Sequence, residues 1–479
     1  MVTETAGIGK STCWKRAGAV FLLCAGAAIG SRAQTFTSLA SFRGTEGVEP
    51  LYVSLVQGLD GDLYGTTTYG GANNFGTVFK VTSTGTVITL YSFCAPSGCP
   101  GRAYAGLVLG TDGNFYGTTI GGGTYGYGTV FRVNPQGGLK TLHSFNSTDG
   151  ASPYAPLVQG ADGNFYGTTS AGGAYGYGTV FRLTPEGTLT TLHIFAGYPA
   201  DGNYPYAPLV QATDGNFYGT TVWGGASDDA CAYGCGTVFE ISPEGTLTIL
   251  HSFEGSDGAY PSAGLIQASD GTFYGTTTGG RASTACVEGC GTVFAITSEG
   301  RLTTLHSFDS TDGANPYGGL VQATDGNFYG TAGKGGAGDY DAGTVFKITS
   351  AGALTTLHSF NGADGAYPYA VVQDTNGTFY GATYGGGVIL EGTVFSEAVG
   401  LGPFVTTLPA SGAVGAAVTI LGTNLTGATS VTFNGTAAAF TVVSGSEITT
   451  TVPTGATTGK VQVITPGGNL SSNIAFRVM

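Results

Sequence analysis

A Tyr-Gly step returns seven times along this chain, with its glycine at Gly65, Gly117, Gly167, Gly219, Gly275, Gly330 and Gly381, at intervals of 50 to 56 residues. Each copy is followed by a Gly-Thr-Val-Phe block, beginning at Gly76, Gly128, Gly178, Gly236, Gly291, Gly343 and Gly392. A chain of 479 residues is longer than one hydrophobic core usually serves. A period of this size marks units that bury their apolar faces by stacking on their neighbours.

Within one unit, residues 154 to 195, the runs "YAPLVQG", "NFYGTT", "GTVFRLT" and "LTTLHIF" read as four short strands. They are separated by Asp-Gly, Gly-Gly and Pro-Glu-Gly clusters and show no helix-length apolar period. The fold class is therefore all-β, and four strands per unit is the arithmetic of a propeller blade. A β-solenoid is the alternative, but its coils are usually shorter and need no tight two-strand turns. The first strand-like run, Phe36 to Phe42, matches the fourth strand of a unit, and the seventh unit lacks its own. The spacing predicts that the N-terminal strand completes the seventh blade and closes the ring, leaving no open edge. Strand parity then places tight turns on one face and every long loop on the other, the face where binding residues concentrate.

The combination of Asp-Gly-Asn-Phe-Tyr-Gly-Thr-Thr, Gly-Thr-Val-Phe and Thr-Leu-His-Ser-Phe at this period resembles the GloVer tandem repeat of bacterial exported proteins. The resemblance implies a surface or secreted repeat protein, of the choice-of-anchor type in which a separate C-terminal anchor is common, and it names no activity. From Pro403 onward the repeat stops. The segment containing Gly415 to Asn424, with the string Gly-x-x-Val-Thr-Ile-x-Gly-x-Asn, resembles an IPT/TIG domain. That resemblance implies an immunoglobulin-like β-sandwich, and the alternating short strands fit it independently. The expected organisation is a signal peptide at 1–33, a seven-bladed β-propeller at 34–400 and the immunoglobulin-like domain at 401–479.

Lys10, Lys15 and Arg16 precede an apolar run from Ala17 to Gly30, and Ser31-Arg32-Ala33 has the form of a signal-peptidase site. Export to the cell surface or medium, with cleavage after Ala33, is expected. No later run is long enough for a membrane span. Without residues 1–33 the chain has 12 basic against 29 acidic side chains, which disfavours nucleic acid as a partner. Some relatives of the C-terminal domain bind DNA, but this copy offers only Lys460 and Arg477. Six cysteines remain in three close pairs, Cys94 with Cys99, Cys231 with Cys235 and Cys286 with Cys290. Export favours disulfides, whereas zinc needs four ligands and no histidine lies nearby.

His143, His193, His251, His306 and His358 all occupy one position of the fourth strand, which points to a repeated structural hydrogen bond rather than catalysis. Asp112, Asp162, Asp214 and Asp325 fit hairpin turns. Asp149, Asp201, Asp257, Asp312 and Asp364 stand alone in their loops, without the dense oxygen spacing of a calcium site. Tyr125, Tyr127, Tyr175 and Tyr177 suit either a sugar-stacking rim or packing between blades. The copies differ most in blades four to six. There Trp223, Asp228, Asp229, Arg281, Asp339, Tyr340 and Asp341 fall on the long-loop face as candidate ligand residues. No nucleophile elbow, phosphate loop, metalloprotease string or cofactor motif is present, so no metal or cofactor is expected. The leading expectation is a non-catalytic scaffold that binds extracellular carbohydrate or protein. A polysaccharide lyase or glycosidase, and a purely structural spacer, are the alternatives.

Overall fold

The computed structural model describes residues 34–479 except 52–53, 95–98, 200, 226–230, 281–285, 287–288 and 338–340. The expected leader, residues 1–33, lies outside the described residues. Among those described there is no α-helix, and none is long and apolar enough to cross a membrane. Among the described residues between 35 and 398 there are seven four-stranded antiparallel sheets and one two-stranded sheet. Blade three is representative: Val158–Gln159, Phe165–Thr169, Thr179–Leu183 and Leu189–Ile194 follow each other in space as in sequence. Blade seven joins both ends of the array. Its outer strand is Thr35–Ser41, which pairs antiparallel with Thr393–Ala398.

The motif residues each have a place in this packing. The glycine of Tyr-Gly lies under the phenylalanine of the neighbouring strand, so a Cβ at Gly219 would sit 2.6 Å from the Phe239 ring. Threonines of the second and third strands exchange buried hydroxyl bonds, such as Thr169 with Thr179 at 2.9 Å and Thr221 with Thr237 at 2.7 Å. In the Asp-Gly hairpins, Asp162 accepts the Asn164 amide and the Tyr166 hydroxyl, while Gly163 takes φ +83°.

Successive blades are tied by two recurring contacts. The tyrosine of one second strand stacks on the phenylalanine of the next, as Tyr166 does on Phe217 at 4.0 Å. The first-strand glutamine reaches back to the preceding blade's turn: Gln159 accepts the Thr111 amide, Gln211 that of Ala161 and Gln267 that of Thr213. The last sheet is tied to the first in the same manner, because Gln57 accepts the Thr375 amide at 3.3 Å. The stack is modified at that junction, where Tyr380 packs against a cluster containing Leu63.

The repeated histidines and loop aspartates prove to be partners. His143, His193, His251, His306 and His358 each bond through Nε2 to Asp149, Asp201, Asp257, Asp312 and Asp364, at 2.7 to 3.1 Å. The second carboxylate oxygen caps a loop amide, that of Glu254 in the case of Asp257. Burial would raise the Asp257 carboxyl, but the His251 bond and the Glu254 amide outweigh it and hold it below its ordinary range. Blade one has Tyr91 in place of the histidine, and the loop that follows is closed by the Cys94–Cys99 disulfide.

Residues 406–478 form two further four-stranded sheets, Thr406–Leu408 with Ala417–Leu421, Glu447–Thr451 and Phe440–Val442, and Thr436–Ala437 with Ser430–Phe433, Val461–Thr465 and Gly468–Ser471. Alternate residues point inward to a core that includes Ile420, Val431, Ile448, Val463 and Phe476. This module docks on the tight-turn face of the blades. Ser446 donates to the Leu59 carbonyl at 2.6 Å, Thr423 bonds Thr375 at 2.9 Å and Asn473 donates to the Gln322 carbonyl at 2.8 Å.

One strand residue breaks the pattern. Glu397 stands where the other blades carry Val81, Val133, Leu183, Ile241, Ile296 and Ile348. It is fully buried, and neither carboxylate oxygen has a hydrogen-bond partner of good geometry. Burial, only partly opposed by Gln34, pushes the carboxyl up to about 7. A raised folded value means the favourable neutral form is complete below the unfolded value of 4.5 and is lost as pH rises through 7. Glu397→Leu should therefore stabilise the chain more at pH 8 than at pH 5, by on the order of 2 kcal/mol in denaturant unfolding. Equal gains at both values would contradict it. Asp257→Ala, which removes one histidine partner and one amide acceptor, should cost about 1–2 kcal/mol in the same assay at pH 7.

Candidate functional site

The first strands of the blades, and the residues that lead into them from the long loops, line a cavity of about 200 Å³. Its wall includes a tyrosine at or just before the first strand of four blades. Tyr154, Tyr206, Tyr317 and Tyr369 all border it, and the chain places them there through Pro-Tyr steps at Pro153, Pro205, Pro316 and Pro368. Each proline packs against the glycine that opens a Gly-Thr-Val-Phe block on the preceding blade, as Pro205 does on Gly178. The backbone is thus clamped immediately beside the ring it presents.

Around the cavity these rings form a continuous aromatic arc. Trp223 meets Tyr204 edge-on at 5.2 Å, Tyr204 stacks on Tyr206 at 6.1 Å, and Tyr206 meets Tyr154 at 4.9 Å. Tyr154 meets Tyr104 at 5.3 Å, and the Tyr104 hydroxyl bonds that of Tyr69. On the other side, Tyr369 faces Tyr317 at 5.7 Å. Burial raises the hydroxyls of Tyr104 and Tyr154, so they remain neutral hydrogen-bonding groups. The Arg102 guanidinium lies 4.6 Å over the Tyr69 ring and 5.8 Å from that of Phe75, which occupies the cation with ring faces. Beside this, Lys334 borders a second cavity of about 250 Å³ with Tyr317, Tyr367, Tyr369 and Tyr384.

The opposite end of the first strands is covered. Thr407 to Ser411 and Ile474 of the C-terminal module border a cavity of about 380 Å³ together with Val108, Val158 and Val210. The long-loop side is therefore the open approach to the tyrosines.

Of the ligand residues expected from the sequence, Trp223 and Asp341 are described, whereas Asp228, Asp229, Arg281, Asp339 and Tyr340 lie outside the described residues. Trp223 sits in a two-residue strand paired with Gly202–Asn203, is 42 % exposed, and joins Tyr204 and Tyr206 rather than blades five and six. The Asp341 carboxylate accepts the Gly335 amide at 2.6 Å and so fastens its own loop. Tyr125, Tyr127, Tyr175 and Tyr177 are exposed on the rim rather than packed between blades. The cysteines form three local disulfides, Cys94–Cys99, Cys231–Cys235 and Cys286–Cys290, all in loops of this face. Among the described residues no group of three His, Cys, Asp or Glu side chains could hold a metal. The tyrosine arc was not anticipated. Its signal was the repeated Pro-Tyr step, which reads locally as a turn.

Comparison with solved structures supports the fold. A fungal alcohol oxidase of the AA5 family, described in complex with copper, aligns over 93% of this chain and 98% of its own, with 13% identity and a TM-score of 0.51. The extracellular domain of the hybrid two-component system BT3049 of B. thetaiotaomicron aligns over 93% and 57%, with 11% identity and a TM-score of 0.48. At 13% identity the oxidase's likeness concerns the propeller-like fold alone, and its chemistry remains a property of that protein. Among curated proteins none matches the sequence. A family model described as the Gloeobacter/Verrucomicrobia repeat matches residues 97–287 and 228–452, which together span most of the chain and run past the last blade. With its seven copies of the motif and its repeated four-stranded blades, the chain belongs to the Gloeobacter/Verrucomicrobia repeat family.

Proposed function

We propose that residues 34–400 form a closed seven-bladed propeller and residues 401–479 an immunoglobulin-like IPT/TIG module. The protein is exported after loss of residues 1–33, as a secreted or surface repeat protein of the choice-of-anchor type. It acts as a non-catalytic scaffold that binds extracellular carbohydrate or protein through the long-loop face.

The observation that carries this reading is the one-sided distribution of exposed apolar side chains. Among the described residues of the blades, Tyr125, Tyr127, Tyr175, Tyr177, Tyr198, Trp223, Tyr233, Tyr367 and the run Val388-Ile389-Leu390 all stand exposed in the long loops or in the short strand segments that border them, and only Ile88 lies elsewhere. Scattered exposed apolar residues are ordinary, but their concentration on one face around an aromatic-lined opening is the pattern of a recognition surface. Three disulfides and the clamped prolines hold that surface in shape before a ligand arrives, which lowers the ordering cost of binding. The five histidines are engaged by aspartates in the outer strands, which supports recognition over acid–base chemistry at the opening.

The test is a glycan and peptide array probed with the exported chain, followed by titration of whatever binds. Trp223→Ala should weaken binding about 30-fold, roughly 2 kcal/mol, with the melting temperature nearly unchanged. Lost stability with retained binding would make Trp223 a packing residue and contradict the assignment of this face.

A further inference from the structure

In sequence, a tyrosine stands at or just before the first strand in every blade but the fifth, which has Ser262 at that position. Two residues on, blades three and four carry Pro156 and Pro208, whereas blades five and six carry Gly264 and Gly319. The 200 Å³ cavity lies where these side chains are missing, bounded by Tyr206 and Tyr317 of the two flanking blades. Packing does not demand the glycine at 319. A Cβ there would meet only main-chain atoms of Gly264, the nearest at 3.4 Å, whereas one at the adjacent Gly318 would collide with the Tyr369 carbonyl. At Gly264 of blade five a Cβ would meet the Pro208 ring at 2.7 Å, so packing claims that glycine, and Gly319 is the glycine bordering the gap that packing leaves open.

Its lining selects a chemical class. Tyrosines and serines border it together with Pro156, Pro208 and aliphatic side chains such as Leu265, Leu320 and Val371, and none of the described residues lining it is charged. Tyrosine rings pack against the apolar C–H faces of a sugar while hydroxyls meet its edges. A carboxylate or ammonium entering the cavity would lose its hydration and find no counter-charge. We propose that this cavity is a subsite for one ring of a neutral polysaccharide, inserted at the blade-five gap. The proposal rests on the long-loop face being the binding face, and it adds a site and a ligand class to that reading.

The experiment titrates the exported chain with neutral oligosaccharides of glucose, mannose and galactose, and with oligogalacturonate as the acidic counterpart. Binding is followed by calorimetry and by the fluorescence of Trp223, the one tryptophan outside residues 1–33. At least one neutral series should bind, and oligogalacturonate should bind more weakly or not at all. Ser262→Tyr installs the residue that the other six blades carry in sequence, so it should fill the gap, lower affinity at least tenfold and leave the melting temperature unchanged. Gly319→Val, which adds bulk from the next blade, should do the same and guards against a folding defect in the first variant. If Trp223→Ala weakens binding while both cavity variants bind like the parent, the face is correct and the subsite is wrong. If all three bind like the parent, the reading of the face fails as well. Preference for oligogalacturonate, or binding to no neutral series, overturns the ligand class.

Discussion

The contact between one blade and the next is the interaction on which the rest of this structure depends. A four-stranded blade leaves both faces apolar and can bury them only against its neighbours. Here that burial is made specific by the stacking of Tyr116 on Phe165, Tyr166 on Phe217 and their equivalents, and by the glutamine that crosses from the first strand to the preceding turn in every blade but the second, which has Leu109. The stack brings ring centroids to about 4 Å, so its geometry fixes blade spacing. The Gln57–Thr375 bond and the strand pairing of Thr35–Ser41 extend the same logic to the join between the two ends. With every neighbour specified, the inner strands are held at a constant distance, and whatever stands at their ends becomes a rigid, pre-shaped surface.

This arrangement separates residues that build the scaffold from residues free to vary. The strand-two glycines, the paired threonines, the hairpin aspartates and the histidine–aspartate bonds are consumed by the fold, and their repetition follows from that. Chemistry particular to this protein must lie where copies depart from one another at positions the packing leaves open. Trp223 and Lys334 are such positions, for both bridge to the strand before them at the same place in their blades. Ser262 and Gly319 are others. The C-terminal module adds direction, because it covers the tight-turn end and leaves the opening to the long loops.

Much of the fold was legible in the sequence because strand, turn and period signals are local. The seven-fold period, the N-terminal strand completing the last sheet and the cysteine pairs all follow from spacing along the chain. Which side chains become partners was harder to see. The histidines and loop aspartates were read as two separate sets, although a six-residue interval in four of the five copies offered a clue. The aromatic arc escaped notice because Tyr154 and Tyr206 are 52 residues apart and meet only when blades stand side by side. Trp223 differs from its counterparts in the other blades, and its ring meets Tyr204 ahead of the first strand of its own blade rather than blades five and six.

The most direct test of this account is hydrogen–deuterium exchange on the exported chain with and without a saturating neutral oligosaccharide that it binds. Protection should appear at the main chain around Tyr154, Tyr206, residues 262–266 and Gly319. The outer strands that carry the histidines, and the C-terminal module, should exchange unchanged. Protection confined to the C-terminal module or to the outer strands would contradict the claim that the blades present their ligand site at the tyrosine-lined opening.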